Sequence, residues 1–142
     1  MKTARRMAAR FGRFSLAGAL GAGVQVTVFA LLVKRLHLAG AAAAPIAVET
    51  ALLHNFLWHE RFTWADRPSP GWRARAARLW RFHAANGLVS LAGNTVLTWA
   101  LVDCLGAPGL PSAAAAIALC APLNFWLADR WVYLRSGEGA LS

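Results

Sequence analysis

The sequence has few of the residues on which enzymes and disulfide-stabilised domains depend. Its 142 residues include two cysteines, six acidic residues and four histidines. Cys104 and Cys120 have no ligand-like spacing and sit at different depths of apolar segments, so we expect small buried thiols and no disulfide. The sequence also has no Ser/His/Asp or Cys/His set, no metal-ligand spacing and no phosphate-cradling glycine loop. We therefore expect no enzyme activity, no metal and no cofactor.

Apolar residues and positive charge dominate the chain instead. Hydrophobic residues make up 58% of it, the mean hydropathy is +0.44 and the formal net charge is +9. This hydrophobic content exceeds that of ordinary soluble domains and indicates a membrane protein. The positive charge lies between apolar segments rather than on one polar surface, so we expect no nucleic-acid partner.

Four apolar segments are each close to the length that crosses a bilayer. The first, Phe14 to Val33, is a run of twenty residues without a charge, and about 20 residues span roughly 30 Å of hydrocarbon. The others run from Leu38 to Trp58, from about Phe82 to Val102 and from about Pro111 to Leu127. Short turns join the first to the second and the third to the fourth, and a basic loop over residues 65–80 joins the pairs. We expect an all-α integral membrane protein of four transmembrane helices in two hairpins.

Lysine and arginine are distributed unequally between the two sides of the predicted membrane. Thirteen precede the first span, follow the second or follow the fourth, and two, Lys34 and Arg35, lie on the other side. Short cytoplasmic loops retain positive residues. We therefore expect a multi-pass protein of the cytoplasmic (inner) membrane with cytoplasmic termini, which also contacts anionic membrane lipids.

One ten-residue segment occurs twice in the chain. NFLWHERFTW, residues 55–64, returns as NFWLADRWVY, residues 124–133, at an offset of 69. Each copy closes a pair of predicted helices, so we expect an internal duplication within a single domain, 1–142. Repeat one covers about 13–64 and repeat two about 81–134. Because each repeat holds two spans, both enter the membrane the same way up, as parallel repeats.

The repeated segment places an amide inside each apolar span and a guanidinium beyond it. Asn55 and Asn124 need partners, because an unpaired amide is costly in lipid. Arg61 and Arg130 follow about 9 Å further along the helix, among aromatic rings, where a guanidinium suits a phosphate. Taken alone, the arginines and rings favour ordinary anchoring of a helix end. The recurring asparagine favours binding, so we predict all four as substrate-binding residues.

Polar and small residues recur at three- and four-residue spacing on the first and third helices. Such a stripe either packs helices closely or forms a polar track for sugar hydroxyls. Glu49 is the only charged residue of the second span. A carboxylate at this place costs free energy unless it is neutral, paired or facing a polar cavity. Glu49 therefore either pairs with a residue of another helix or takes part directly in the function. The predicted track comprises Gln25, Glu49, His83, Ser90 and Asn94.

These features resemble the GtrA family of small four-helix membrane proteins. The resemblance lies in Arg13-Phe14-x-x-Ala17-Gly18, in N-F-x-x-x-x-R-F-x-W from Asn55 and in its echo from Asn124, and it extends to about Leu134. It implies flipping of a polyprenyl-phosphate-linked sugar across the membrane, for cell-surface polysaccharide biosynthesis or glycosylation, beside a membrane glycosyltransferase. Four thin helices enclose little space, so we expect a homo-oligomer or a complex with that transferase. Glu49 is not part of the family pattern.

Two other functions stay open at the level of the sequence. A non-transporting subunit would anchor or position a glycosyltransferase through the basic loop, and its polar track would tolerate apolar replacement. A proton-coupled exporter of small cations would require Glu49, while Arg61 and Arg130 would be dispensable.

Overall fold

The chain folds into helices and turns, with no strand among residues 2–133. A computed structural model describes these residues, and all their side chains except those of residues 2, 3, 88, 91, 110 and 113. The all-α fold class is therefore confirmed. The chain divides into two compact units, Met1–Pro68 and Ser69–Ser142. Leu134, the end of predicted repeat two, and Arg135, in the predicted cytoplasmic tail, lie outside the described residues.

The first unit is a pair of helices in contact with each other. Helix α1 covers Lys2–Lys34, and α2 covers Gly40–Trp58 and packs along it. Helix α2 then widens into a π turn, π1, over His59–Thr63. The N–H of Trp64 donates to the carbonyl of His59 over 2.8 Å, which is the i→i+5 bond of a π-helix.

The second unit repeats this plan with a more irregular first helix. Its residues form α3 (Trp72–Leu88), π2 (Val89–Gly93), α4 (Asn94–Trp99) and π3 (Ala100–Cys104) without interruption. After a turn, α5 covers Gly109–Leu127 and π4 covers Ala128–Val132. Helix α5 packs against α4 and π2.

The two units share local geometry at the offset of the repeated segment. Helices α2 and α5 each have 19 residues, and every boundary of α5 and π4 lies 69 residues after its counterpart in α2 and π1. The turns before α2 and α5 also match, because His37 (φ 52°) and Gly106 (φ 66°) both adopt a left-handed conformation at this offset. Glycine adopts it at no steric cost, whereas a histidine is uncommon there.

Two predicted boundaries differ from the structure. Helix α1 begins at Lys2, so the predicted span from Phe14 is the later part of a longer helix. The predicted basic loop 65–80 is wrong in its second half, because α3 begins at Trp72. Alanine, arginine and leucine are good helix formers, and they fill residues 73–79 once the turn at Gly71 (φ 136°) has ended the loop.

One of the described helices is long and apolar enough to cross a membrane, judged by length and composition. It is Ala4–Lys34, with a mean hydropathy of 2.0 and only 11% of its most apolar stretch buried. At 1.5 Å per residue, α2 and α5 reach about 28 Å, slightly less than a bilayer core of about 30 Å. The arrangement of four transmembrane helices therefore stays a prediction.

The two cysteines have different surroundings. Cys120 is buried, and its sulfur lies where a Cβ at Gly93 would approach within 2.8 Å. Cys104 is exposed, so the expected burial of this thiol is wrong. It ends π3, next to the turn, where no neighbouring element among the described residues covers it.

Candidate functional site

The last ring of each repeated segment is a core residue. Trp64 and Tyr133 are both fully buried. Trp64 packs edge-on against Phe14 and His59, with ring centroids 6.0 and 5.3 Å away, and Tyr133 lies under the guanidinium of Arg78 at 5.0 Å. Both rings therefore belong to the packed core of their own unit. They fix each π turn to the first helix of its unit, α1 or α3.

Matched arginines connect the first helix of each unit, α1 or α3, to the π turn of the same unit. Nη1 of Arg13 donates to the carbonyl of Phe62 over 3.4 Å, and Nη1 of Arg81 donates to the carbonyl of Trp131 over 3.3 Å. Carbonyls in the last turn of a helix lack intrahelical partners. Both units therefore satisfy a helix-end carbonyl with an arginine at the same place in the repeat.

The arginines of the repeated segment lie at the surface. Arg61 and Arg130 are exposed, and no hydrogen bond or ion pair holds either guanidinium within residues 2–133. The preceding carboxylates are more enclosed, since Glu60 is half-buried and Asp129 is 8% exposed, and both have partners of their own. The two guanidinium forks are thus available to an anion.

Arg61 lines a groove of about 480 Å³ in the first unit. His54, Trp58 and Phe62 form a row of rings along it, with neighbouring centroids 6.0 and 5.9 Å apart. We call this the aromatic groove, lined by His54, Leu57, Trp58, Arg61 and Phe62. These positions recur every three or four residues, so one helix face presents a single charge among apolar and aromatic walls.

The corresponding face of the second unit has the same character. Its large apolar side chains are between 42% and 56% exposed at Leu123, Trp126 and Trp131. Arg130 is the charge on this face, at the position that Arg61 occupies in the aromatic groove.

Asn55 faces away from the aromatic groove and lies against α1. A Cβ at Gly21 would overlap its side-chain amide. The only side-chain hydrogen bond of Asn55 among the described residues joins its Oδ1 to Nδ1 of His54, at 3.4 Å. His54 is therefore the link between Asn55 and the groove that contains Arg61.

Asn124 is also directed at the neighbouring helical segment. Its Nδ2 donates to the hydroxyl of Ser90 over 3.4 Å, and Ser90 stands 69 residues after Gly21. The Oδ1 atoms of Asn124 and Asn94 are buried and accept no hydrogen bond from the described residues. An unsatisfied buried acceptor costs about 1–3 kcal/mol. The second unit thus brings Ser90 and Asn124 together and contains two acceptors without donors.

The other residues of the predicted track have separate surroundings. Gln25 and Glu49 are exposed on α1 and α2, and Glu49 has a partner. His83 is half-buried, and its Nδ1 lies 3.0 Å from the carbonyl of Leu79, to which it donates. Within each unit, only Ser90 and Asn124 of the predicted track and binding residues share a hydrogen bond among those described.

A family comparison gives these residues a context. The model of the family described as GtrA/DPMS, transmembrane domain, matches residues 13–133. The chain belongs to the GtrA/DPMS transmembrane-domain family. The resemblance seen in the sequence is confirmed, and a family of transmembrane domains places the protein in a membrane. No curated protein matches the chain.

A buried histidine lies beside the aromatic groove of this GtrA/DPMS domain. His59 stacks on Phe14 with ring centroids 4.9 Å apart, and its Nδ1 lies 3.1 Å from the hydroxyl of Thr63. Burial, and to a smaller extent the charge of His54, lowers the pKa of His59 to about 3. His59 is therefore neutral at physiological pH and belongs to the packing rather than to a charged site.

Sequence reasoning missed a second cavity of the GtrA/DPMS domain. It has a volume of about 350 Å³ and lies between the first turns of α1 and the segment after π1. We call it the arginine pocket, lined by Arg6, Ala9, Arg10, Arg13, Thr63, Ala65 and Asp66. The spacing of Arg6, Arg10 and Arg13 is the signal that could have revealed it, but the charge of these residues indicated only topology.

Proposed function

We propose that this protein translocates a polyprenyl-phosphate-linked sugar across the cytoplasmic membrane, for polysaccharide biosynthesis or glycosylation at the cell surface, without catalysing a reaction. The observation that carries the proposal is the exposed Arg61 in the aromatic groove, whose guanidinium has no partner among the described residues. A guanidinium binds phosphate through a fork of N–H donors. Leu57, Trp58 and Phe62 offer the apolar wall that a prenyl chain requires.

The buried amides support the second part of the proposal. Sugar hydroxyls are hydrogen-bond donors, and the Oδ1 atoms of Asn94 and Asn124 lack one among the described residues. A head group that enters beside α5 would satisfy both oxygens and relieve their desolvation cost. In this scheme each unit supplies an arginine for the phosphate, Arg61 or Arg130, and an asparagine for the phosphate or the first sugar, Asn55 or Asn124.

The matched local geometry supports parallel repeats in the membrane. If α1, α2, the α3–π3 segment and α5 each span the bilayer, the two copies of the segment that ends in a π turn lie at the same face. The excess of lysine and arginine supports a cytoplasmic location for that face. Two phosphate-binding arginines would then serve the leaflet in which the lipid-linked sugar is made.

A second polypeptide would complete the path. The aromatic groove is lined by α2 and π1, so its outer side is open to lipid or to a neighbour. A second copy of the chain, or a membrane glycosyltransferase, would enclose the sugar there. We therefore propose a homo-oligomer or a complex with such an enzyme.

Reconstitution tests the proposal directly. Purified protein is placed in liposomes that contain a polyprenyl-phosphate sugar, and the sugar that becomes accessible to non-permeant periodate is followed with time. Faster exposure than in protein-free liposomes is expected. No acceleration by protein that circular dichroism shows to be folded would refute autonomous translocation.

One surface favours the second candidate, a subunit that positions a glycosyltransferase. Trp72 and Trp80 on α3 are 75% and 73% exposed, and the guanidinium of Arg73 lies 5.5 Å from the ring of Trp72. Exposed tryptophan beside arginine is typical of protein interfaces and of membrane interfaces. In cells that lack the endogenous gene, this candidate predicts that Trp72→Ser/Trp80→Ser abolishes surface glycosylation and Arg61→Gln/Arg130→Gln does not. Translocation predicts the reverse.

A further inference from the structure

The arginine pocket shares no lining residue with the aromatic groove. Arg6, Arg10 and Arg13 follow one another at four- and three-residue spacing, so they lie on one face of α1 and extend over about 10 Å of its axis. Thr63, Ala65 and Asp66 close the opposite side. With three guanidiniums and one carboxylate, the cavity has a net charge of +2.

Two of the three arginines are held in place. Nη2 of Arg10 lies 2.7 Å from Oδ2 of Asp66, and the Arg10 side chain is 18% exposed. Arg13 donates to the carbonyl of Phe62, and its guanidinium lies 5.1 Å from the centre of the Phe62 ring. A guanidinium has five N–H donors, so each of these arginines retains donors for a ligand.

Arg6 differs from its two neighbours. It is exposed, and it has no hydrogen bond or ion pair with any residue in the described range 2–133. Its charge is therefore not used within the described fold. An anion in the arginine pocket would give Arg6 a partner and would share Arg10 with Asp66.

The described residues of the second unit do not repeat this arrangement. Ala74 lies 68 residues after Arg6, the offset that relates Arg13 to Arg81, and Val132 lies 69 residues after Thr63. Arg78, the counterpart of Arg10, is buried over Tyr133. The arginine that joins the first helix to the π turn recurs in both units, and Arg10 has a charged counterpart in Arg78, but Arg6 has an uncharged one in Ala74. The repeated fold therefore does not require the charge of Arg6.

We propose that the arginine pocket binds a phosphate or diphosphate group. Arginine forks match the geometry of phosphate oxygens, and charge-assisted hydrogen bonds are about twice as strong as neutral ones. A volume of about 350 Å³ corresponds to roughly ten water molecules in the liquid, which accommodates a diphosphate. The pocket immediately precedes the apolar run of α1. The group can therefore belong to a lipid head or to a soluble molecule. This site does not depend on the proposed translocation.

Isothermal titration of the purified full-length protein in neutral detergent tests the site with two probes. The first is inorganic pyrophosphate, and the second is a short-chain phosphatidic acid compared with a short-chain phosphatidylcholine. Arg6→Gln removes the unpartnered charge without breaking a hydrogen bond or an ion pair among the described residues. Arg5→Gln is the matched control, since Arg5 is an exposed neighbour outside the pocket lining. Arg6→Lys retains the charge.

We expect Arg6→Gln to weaken binding about five- to tenfold, Arg6→Lys to recover part of the loss, and Arg5→Gln to change it less than about twofold. Arg6-dependent binding of pyrophosphate identifies a site open to soluble phosphates. The same dependence for phosphatidic acid alone identifies a lipid-head site. Binding of neither probe, or equal weakening by Arg5→Gln and Arg6→Gln, would overturn the proposal. The translocation assay can succeed or fail independently of this result.

Discussion

The side-chain amide of Asn124 donates a hydrogen bond to the hydroxyl of Ser90 across 3.4 Å. In the first unit the corresponding asparagine, Asn55, meets Gly21, the counterpart of Ser90. Both repeats thus direct an amide at the same position of the preceding helical segment, one against a hydroxyl and the other against bare backbone.

Replacement of Ser90 by alanine should destabilise the protein modestly. It removes the partner of Asn124 Nδ2, and interhelical hydrogen bonds in membrane proteins contribute about 0.5–1 kcal/mol. The melting temperature in detergent, followed by circular dichroism, measures the loss. Ser15→Ala removes an exposed hydroxyl from α1 and should leave the melting temperature unchanged. Equal shifts for the two variants would contradict the assigned bond.

Gly21→Ala should leave the protein less stable than Gly23→Ala does, because the new Cβ overlaps the amide of Asn55 and forces that side chain to move. Gly23→Ala is the control. A Cβ at Gly23 would have no atom within 4 Å, and alanine is the better helix former by about 1 kcal/mol. Adding Asn55→Ala to Gly21→Ala should restore part of the stability. If Gly21→Ala stabilises as much as Gly23→Ala, the close approach of Asn55 is wrong.

Arg13→Ala and Arg81→Ala should lower the melting temperature by similar amounts. Each removes a guanidinium that satisfies a carbonyl at the end of a π turn. The loss should be below about 1 kcal/mol per bond, because these bonds are exposed. Arg5→Ala, which removes an exposed arginine from α1, should have no effect. A loss confined to one of the two tested positions would show that the units are not equivalent.

Stability should fall in mild acid because of His59. Its pKa is lowered from 6.5 to about 3, so the unfolded chain binds a proton that the folded protein does not accept. The contribution of His59 to the free energy of unfolding is therefore fully present above about pH 6.5. It is lost as the pH falls toward 3. Melting temperatures at neutral pH and near pH 5 should differ more for the wild type than for His59→Gln. His37→Gln, at an exposed turn residue, should show the same change of melting temperature with pH as the wild type. A smaller change in this control would show that the pH effect does not come from His59.

The sequence predicts the helices better than their ends. The predicted end of the second span at Trp58 agrees with α2, and the repeat offset of 69 reappears in helix boundaries. The π turns are not predicted from the sequence, because each covers only five residues. A segment of that length is too short to show a periodic pattern of apolar residues. They depend on tertiary burial of Trp64 and Tyr133. The charges of residues 72–80 favour a loop, but the helix propensity of their alanines, arginines and leucine prevails.

The candidate site is predicted residue by residue but not as an arrangement. Asn55 and Arg61 lie on different faces, since one contacts α1 and the other lines the aromatic groove. His54 connects them, and no pattern in the sequence singles it out. The salt bridge between Arg10 and Asp66 joins residues 56 positions apart. Such a contact follows from the packing of α1 on α2, which spacing alone does not specify.

The central claim is that the two exposed arginines of the repeated segment capture the phosphate of a lipid-linked sugar. The most direct measurement compares sugar exposure in liposomes for the wild type, Arg61→Gln/Arg130→Gln and Lys34→Gln/Arg35→Gln. The control removes two positive charges at the C-terminal end of α1, those of Lys34 and of the residue that follows it. We predict at least about a tenfold slower rate for the motif variant, the effect of losing about 1.4 kcal/mol of phosphate binding, and a rate near that of the wild type for the control. Equal rates for the motif variant and the wild type, with both proteins folded, would contradict phosphate capture by Arg61 and Arg130.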